Sequence, residues 1–506
     1  MSKNTSKAKS HSLAENISSG ALTAILISTV IAVNVIIFAV ASYFGLAFAP
    51  KERDQIVLSG STDSLFAEAI ANRQKVKITF CLPSETDLDN HPTGAYVHKT
   101  AKEYAQRYDF IELEYMNLIT RKNSKGENVD IEKYKTDMQG NATVLAKSSV
   151  IFECGNNYKV VTDTYTNAGF ADFYTLDGTK NATSYNGEAF MASMIYWVTV
   201  SEHPNAYFTI GHSEQLDSTF ANLLTMAGYN LNTVNLKDQE VPTDAELLII
   251  SNPLSDFERA AEGSGFRTEI ERMRTYMERG GNIYVSLDPY VKALPALEDF
   301  IAEYGIEFSE TEVDSVSLRN IVKDSSDAIM TDGFTLVTNF AKGELAEKIG
   351  ETVEHYSKGR VIIRECAALE LSEGASPLLT TSSSATLEAN GERVDSSGNY
   401  CVAAYSTFEA KDGETSSIVV IPSIYLTVSD ALVTNGYANK DFMYSLFDNF
   451  YGREGMPYGC KVVFYNSGVL ENLTMGTARI YTAIILAVPA ALAVFGTVLI
   501  VRRKNR

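Results

Sequence analysis

The polar run His212-Ser213-Glu214 is the part of the sequence whose residue types and spacing most favour ligand chemistry. It follows an apolar run at 207–210 that predicts a strand, and Asn252 and Asp288 each come directly after another predicted strand. The carboxyl ends of parallel strands meet at one edge of a sheet, where open α/β proteins bind ligands. We therefore predict that these five residues form a ligand-binding edge.

A second interpretation of the same residues needs no ligand. Ser213 and Glu214 could cap the helix that follows them and complement the positive end of its dipole. Asp288, which is followed by Pro289, could simply end a strand. Both interpretations stay open on the sequence.

Other catalytic patterns are missing or incomplete. The chain has no G-x-x-x-x-G-K-[ST] loop, which an ATPase needs to bind phosphate. The stretch 211–215, Gly-His-Ser-Glu-Gln, lacks the second glycine of the G-x-S-x-G turn of serine hydrolases. Cys81 begins the run Cys-Leu-Pro-Ser, whereas a dithiol redox site needs two neighbouring cysteines. We predict that the chain is not an enzyme, with hydrolysis and a monothiol reaction at Cys81 as the alternatives.

Metal and cofactor sites are not indicated by local spacing. The six histidines include no i,i+4 pair, and the five cysteines include no C-x-x-C pair. The sequence therefore predicts no metal, no cofactor and no disulfide framework. The cysteines are expected to be mostly buried and apolar in character; they are Cys81, Cys154, Cys366, Cys401 and Cys460.

The charge balance excludes one class of partner. The chain has 43 Lys and Arg against 63 Asp and Glu, a net charge of -20 and a pI near 4.8. A surface of this charge repels the phosphate backbone, so we predict no nucleic-acid binding. The acidic charge is expected to keep a large exposed domain in solution.

Two long apolar segments predict membrane crossings. Residues 21–49 and 480–501 carry no charged side chain, and each is longer than the roughly 20 residues that span a bilayer. Cleavage of the first segment as a signal peptide is the alternative. The basic residues in tails 1–20 and 502–506 favour a cytoplasmic position for both ends. We therefore predict a two-pass protein of the cell membrane with its bulk outside the cytoplasm.

The alternation of apolar patterns predicts an α/β fold class with two domains between these segments. In 50–185, a strand, a helix and a strand are followed by a hairpin around Gly155, the order of a thioredoxin-like domain. In 186–465, strands and helices alternate as in a doubly wound parallel sheet. The Ser- and Gly-rich stretch 382–399 is predicted to be an exposed excursion.

Several phrases, in this order, resemble the GldG-like auxiliary subunits of gliding-motility-type ABC transport systems. The phrase 207–214 is similar to the family's strand and Gly-His-Gly-Glu, with Ser213 in place of the second glycine. The helix at 269–277, the glycine pair 280–281 and the strand at 283–289 that ends in Asp-Pro are also similar to the family. So are the stretches 56–59, 376–382, 418–422 and 439–442, and the final apolar segment with its basic tail.

This resemblance implies a role without ATP hydrolysis. Members of the family are thought to work as membrane-anchored auxiliary subunits beside an ABC permease and an ABC ATPase, and what they transport is mostly unknown. The implied partners are those two subunits, the lipid membrane and an unidentified substrate. An envelope hydrolase or amidotransferase-like enzyme that uses His212, and a purely structural envelope protein, are the alternatives.

Overall fold

The computed structural model describes residue 58 and residues 62–89, 94–138, 140–162, 174–176, 182–215, 218–259, 267–326, 328–329, 332–357, 359–411, 413–434, 436–451 and 456–464. All of these residues belong to one compact unit.

The predicted fold class needs a correction. Within the described ranges the protein is α/β, but none of its helices has the length and apolar character that a membrane crossing requires. The prediction of two transmembrane helices beside the α/β domains is therefore wrong for the part of the chain that the structure describes. The segments 21–49 and 480–501, on which that prediction rested, lie outside the described residues.

The helices follow the apolar periodicity of the sequence. They are α1 (Ala67–Ala71), α2 (Glu85–Asp89), α3 (Gly94–Arg107), α4 (Gly187–Thr199), α5 (Ser218–Met226), α6 (Glu269–Glu278), α7 (Pro295–Ala302), α8 (Glu344–Tyr356), α9 (Ser429–Val433) and α10 (Asn439–Tyr451). A short 3₁₀ helix covers Ile131–Lys135.

The first sheet has the strand order β3-β2-β1-β4-β5. Its strands, and those of a small neighbouring sheet, are β1 (Val76–Phe80), β2 (Ile111–Asn117), β3 (Lys122–Asn123), β4 (Val150–Cys154), β5 (Asn157–Val161), β6 (Tyr174–Leu176) and β7 (Ala182–Tyr185). Strand β1 runs parallel to β2, to which α3 connects it, and antiparallel to β4. This is the βαβ and hairpin order that the sequence predicted for the first domain.

The second sheet is mixed rather than wholly parallel. The remaining strands are β8 (Asn205–Thr209), β9 (Asn230–Val234), β10 (Ala245–Ser251), β11 (Asn282–Ser286), β12 (Ile306–Phe308), β13 (Glu310–Val313), β14 (Val316–Arg319), β15 (Ile321–Lys323), β16 (Thr335–Val337), β17 (Asn339–Phe340), β18 (Ile362–Arg364), β19 (Leu369–Leu371), β20 (Ala375–Thr380), β21 (Thr386–Ala389), β22 (Glu392–Arg393), β23 (Cys401–Glu409), β24 (Thr415–Ile421) and β25 (Val463–Phe464). The large sheet has the order β12-β19-β23-β24-β11-β10-β8-β9. Its strands from β24 to β9 are parallel, but β23 pairs antiparallel with β24, because a short turn joins the two and reverses the chain.

Helices cover both faces of the parallel strands. Along β10, Leu247 and Ile249 belong to the core that contains α5 and α10, and Leu248 and Ile250 belong to the core that contains α6 and α7. Successive side chains of a strand point to opposite faces, so a continuous apolar run is expected where both faces are buried. The doubly wound arrangement thus holds for the parallel half of the sheet.

Helix α4 joins the two sheets into one core. All but one of its residues are buried, from Gly187 to Val198. It packs against β4 and β5 of the first sheet and also contacts α5 of the second. The domain boundary between residues 185 and 186 stays a prediction, but the helix that follows it has apolar neighbours on both sides.

The serine-rich stretch after Thr381 is not an exposed excursion over its whole length. Strand β21 pairs with β15, and Ala385, Leu387 and Ala389 are buried. The hydroxyls of Ser382 and Ser384 donate to the buried carboxylate of Asp324. The prediction is wrong for this first half because its serines have a buried acceptor, whereas residues from Asn390 to Ser397 are exposed.

Candidate functional site

Three loops meet at the carboxyl edge of β8, β10 and β11, which are neighbours in the large sheet. The β8 loop needs unusual backbone conformations: φ is +121° at Gly211 and +58° at Ser213. A Cβ atom at position 211 would lie 3.0 Å from the side-chain oxygen of Asn235, so a glycine also leaves room for this side chain. These two residues turn the chain sharply and leave His212 between them pointing into the protein.

His212 is held between two carboxylates. Its side chain is 1% exposed, with Nδ1 3.3 Å from Glu214 Oε1 and Nε2 3.0 Å from Glu269 Oε2. The imidazole stacks on Phe257 with 4.0 Å between ring centroids. Glu214 also uses its second oxygen, which accepts a 2.8 Å bond from the backbone N–H of His212.

Glu269 reaches this site from the start of α6. Thr268 caps the helix, in a capping box with Glu271, and this places Glu269 in the first turn, where the helix dipole favours a carboxylate. The Oε2 atom also accepts a 2.8 Å bond from the N–H of Glu258. The Oε1 atom is buried and accepts no hydrogen bond from the residues that the structure describes.

The electrostatics keep His212 charged. Burial by itself lowers the pKa of His212, but the hydrogen bonds and charges of Glu214 and Glu269 outweigh it and raise this pKa to about 9. Burial raises the pKa of Glu214, but the hydrogen bonds from His212 dominate and lower it below its ordinary value. At neutral pH the site is therefore an imidazolium between two buried carboxylates.

Asn252 connects the next two loops. It is 2% exposed and has a φ of +45°, a left-handed conformation that Asn tolerates better than most residues. Its Oδ1 accepts from the N–H of Asp288 at 3.0 Å, and its Nδ2 donates to Gln215 Oε1 at 3.0 Å. The N–H of Leu254 donates to the carbonyl of His212, so all three loops are tied together.

The structure thus brings four of the five predicted residues into one network and leaves one aside. His212 bonds to Glu214, and Asn252 bonds to the backbone N–H of Asp288. The two pairs are linked through Gln215, which follows Glu214 in the chain and accepts from Asn252, whereas Ser213 is exposed at the surface of the loop. Both oxygens of Glu214 bond to His212 and hold the loop closed. Capping of α5 by Ser213 and Glu214 stays a prediction, because residues 216–217, which lead into that helix, lie outside the described residues. Ligand binding by these residues stays a prediction.

This network is poorly suited to general-base catalysis by His212. A general base needs a free lone pair, but both ring nitrogens of His212 face carboxylates and its raised pKa keeps both protonated. The arrangement is suited to holding three loops in fixed positions. The network is a buried polar cluster below the surface of the edge.

Three large apolar side chains are exposed on these loops, beside exposed polar residues such as Ser213, Ser255 and Lys292. Ile210, Leu254 and Tyr290 lie in the loops after β8, β10 and β11, and they are 36%, 45% and 60% exposed. We call these three residues the edge row. The polar motifs of the sequence do not point to these three residues, although large apolar residues in loops directly after buried strands are a visible signal.

The thiol of Cys81 lies at the end of β1 in the first sheet. Its side chain is 1% exposed, and burial raises its pKa to about 12. Nucleophilic thiols act as thiolates, which this environment disfavours. The geometry gives no support to the monothiol alternative.

Comparisons with known proteins show only distant likeness. No protein-family profile and no curated protein matches the chain. Among solved structures, the N-terminal domain of mmIFT52 is 16% identical, with 48% of this chain and 96% of that one covered and a TM-score of 0.36. A ThuA-like protein, described as putative, from Parabacteroides merdae is 8% identical over 52% and 98%, with a TM-score of 0.31. A β-galactosidase from Rahnella sp. R3 is 14% identical over 52% and 33%, with a TM-score of 0.27. Likeness this low carries no argument about function.

Proposed function

We propose that this chain is a non-catalytic binding and assembly subunit that works beside an ABC permease and its ATPase. We further propose that it meets a protein partner through the edge row. The observation that carries the proposal is the pairing of an exposed apolar row with a rigid, buried polar network below it.

A fixed apolar surface favours protein binding. Large side chains that stay exposed on a preorganised surface bind a partner at a lower entropic cost than side chains on a mobile loop. The edge row lies on three loops that the hydrogen bonds of His212 and Asn252 tie together, so the backbone that carries its side chains is held in place. The fitting occupant is a partner subunit with a complementary apolar surface.

The class of partner comes from the sequence. The phrases around 207–214 and 269–289 resemble GldG-like auxiliary subunits, and the chain has no phosphate-binding loop of its own. An ABC ATPase would supply the energy for transport by hydrolysing ATP, and the permease would form the path of the substrate through the membrane. We also propose that the folded part of the chain lies outside the cytoplasm. Protease added to intact cells should then cleave it.

Co-purification of the tagged full-length chain from its own cells tests the partnership. We expect mass spectrometry to identify an ATPase with a phosphate-binding loop and a permease. A variant with Ile210→Ser, Leu254→Ser and Tyr290→Ser should lose them. The matched control is Ile119→Ser with Val144→Ser, which changes side chains that are 83% and 72% exposed on the first sheet's side and should keep both partners.

Two results would overturn the proposal. Recovery of neither subunit by the wild-type chain would remove the transport partners. A hydrolytic activity of the pure chain that disappears in His212→Ala, with folding intact by circular dichroism, would favour the enzyme alternative.

A further inference from the structure

Helices α2 and α3 bring three metal-ligating side chains together beside the first sheet. Glu85 and Asp89 are one turn apart on α2, and His98 lies on α3. One ligand atom from each of the three residues lies within 4.8 Å of the other two. We propose that Glu85, Asp89 and His98 form a binding site for a divalent metal ion of the zinc type.

The imidazole distinguishes this cluster from an ordinary group of surface acids. His98 is fully buried, and its Nδ1 points at Asp89 Oδ1 at a distance of 2.8 Å. Its Nε2 lies 2.7 Å from the hydroxyl of Tyr115. Phe80 and Tyr115 pack edge-on against the ring, at centroid distances of 5.4 and 5.7 Å. The ring is therefore fixed with Nδ1 toward the carboxylates.

This is the arrangement that metal-binding histidines need. Such a histidine uses one ring nitrogen for the metal, and a second partner on the other nitrogen fixes its orientation. Tyr115 Oη fills that second position. The carboxylates stay open to solvent, since the side chains of Glu85 and Asp89 are 48% and 46% exposed, so an ion can reach them.

The topology supports the same location. Strands β1 and β2 are parallel, and Phe80 and Tyr115 are partners near their carboxyl ends. Glu85 and Asp89 follow β1 directly, and His98 belongs to the helix that connects the two strands. In parallel α/β units, ligands bind outside the carboxyl ends of the strands.

The donor set selects the kind of ion. One imidazole nitrogen and two carboxylate oxygens suit zinc and similar first-row divalent ions better than calcium or magnesium, which prefer oxygen alone. With metal–ligand bonds of about 2.0–2.2 Å, tetrahedral ligand atoms lie about 3.4 Å apart. Atoms already within 4.8 Å of one another need only a small adjustment of the exposed side chains, in which the 2.8 Å contact between His98 Nδ1 and Asp89 Oδ1 opens to admit the ion.

Lys102 competes with a metal ion for the carboxylate of Glu85. The ammonium of Lys102, one turn after His98 on α3, forms an ion pair with Glu85. A metal ion must displace this ammonium to reach the carboxylate. Removal of the lysine charge should therefore strengthen metal binding, whereas removal of a ligand should weaken it.

Isothermal titration of the full-length chain with Zn²⁺, after treatment with a chelator, tests the site. We expect Glu85→Gln and Asp89→Asn to weaken the site's binding of Zn²⁺ by more than about tenfold. Lys102→Met should tighten it. The matched control is Asp87→Asn, which removes the same charge from the same helix but whose carboxylate accepts from Ser84. It should bind like wild type.

His98→Gln and cobalt spectroscopy complete the test. Replacement of Zn²⁺ by Co²⁺ should give visible absorption bands that change in His98→Gln, and circular dichroism must show that this variant is folded. If it does not fold, the exposed variants Glu85→Gln and Asp89→Asn decide the matter alone. The proposal is overturned if the wild-type chain does not bind Zn²⁺, or if both exposed variants bind it with wild-type affinity.

Discussion

The two sheets each carry a buried histidine near the carboxyl ends of parallel strands, but the two histidines have different surroundings. His98 is 0% and His212 1% exposed, and both ring nitrogens of each have a polar partner. His212 faces two carboxylates, and both are almost completely buried. His98 faces one carboxylate that is 46% exposed and one neutral hydroxyl.

This difference separates a structural ion pair from a site that can exchange ligands. A buried carboxylate without a cation is costly, so Glu214 and Glu269 depend on the imidazolium between them. The carboxylate of Asp89 is partly exposed to solvent and does not depend on His98 in the same way. The second sheet therefore uses its histidine to fix loops, whereas the first keeps a histidine and two carboxylates within reach of solvent.

The sharpest test of this contrast removes each charge in turn. His212→Gln should cost about 3–5 kcal/mol of unfolding free energy, because it leaves two buried carboxylates without a cation. His98→Gln should cost about 1–2 kcal/mol, the usual range for lost hydrogen bonds, because Asp89 can be solvated by water. Urea denaturation followed by circular dichroism measures both. Equal losses in the two variants would contradict the contrast.

A pH series gives the next largest effect. The pKa of His212 is raised from 6.5 to about 9, so its stabilisation is fully present below pH 6.5 and disappears as the pH rises through 9. The whole change should be about 3 kcal/mol, at 1.36 kcal/mol for each pH unit. The midpoint of urea denaturation should therefore fall between pH 6.5 and 10 in the wild-type chain and change less in His212→Gln. Parallel curves for the two proteins would assign the effect to other groups.

The smallest effect concerns the backbone beside His212. Ser213 has a φ of +58°, which costs a residue with a side chain about 1 kcal/mol and costs glycine little. Ser213→Gly should therefore raise the unfolding free energy by about 0.5–1 kcal/mol. Ser201→Gly is the control, since Ser201 is an exposed loop residue without a positive φ, and it should give no gain. A loss of stability in Ser213→Gly would show that the serine side chain has a role of its own.

Local patterns were enough for the elements and for part of the edge. The alternation of strands and helices predicted the βαβ units, and the rule on carboxyl ends predicted that His212, Asn252 and Asp288 lie near one another. Periodicity could not predict the antiparallel half of the large sheet, because an apolar pattern gives no strand direction, and the short turn between β23 and β24 sets it. It also predicted an exposed loop where Ser382 and Ser384 are half-buried and bond to the buried carboxylate of Asp324.

The sequence by itself determined the acidic charge, the α/β pattern and the position of polar residues after the strands. Only the tertiary structure decided what those residues do. Glu269, which is 57 residues away from His212 in the chain, forms a hydrogen bond with Nε2 of that histidine. Tyr115, which is 17 residues away from His98, forms a hydrogen bond with Nε2 of His98 and fixes its ring. The protonation of an imidazole and its freedom to bind metal depend on burial and on its nearest charges, and packing between distant segments sets both.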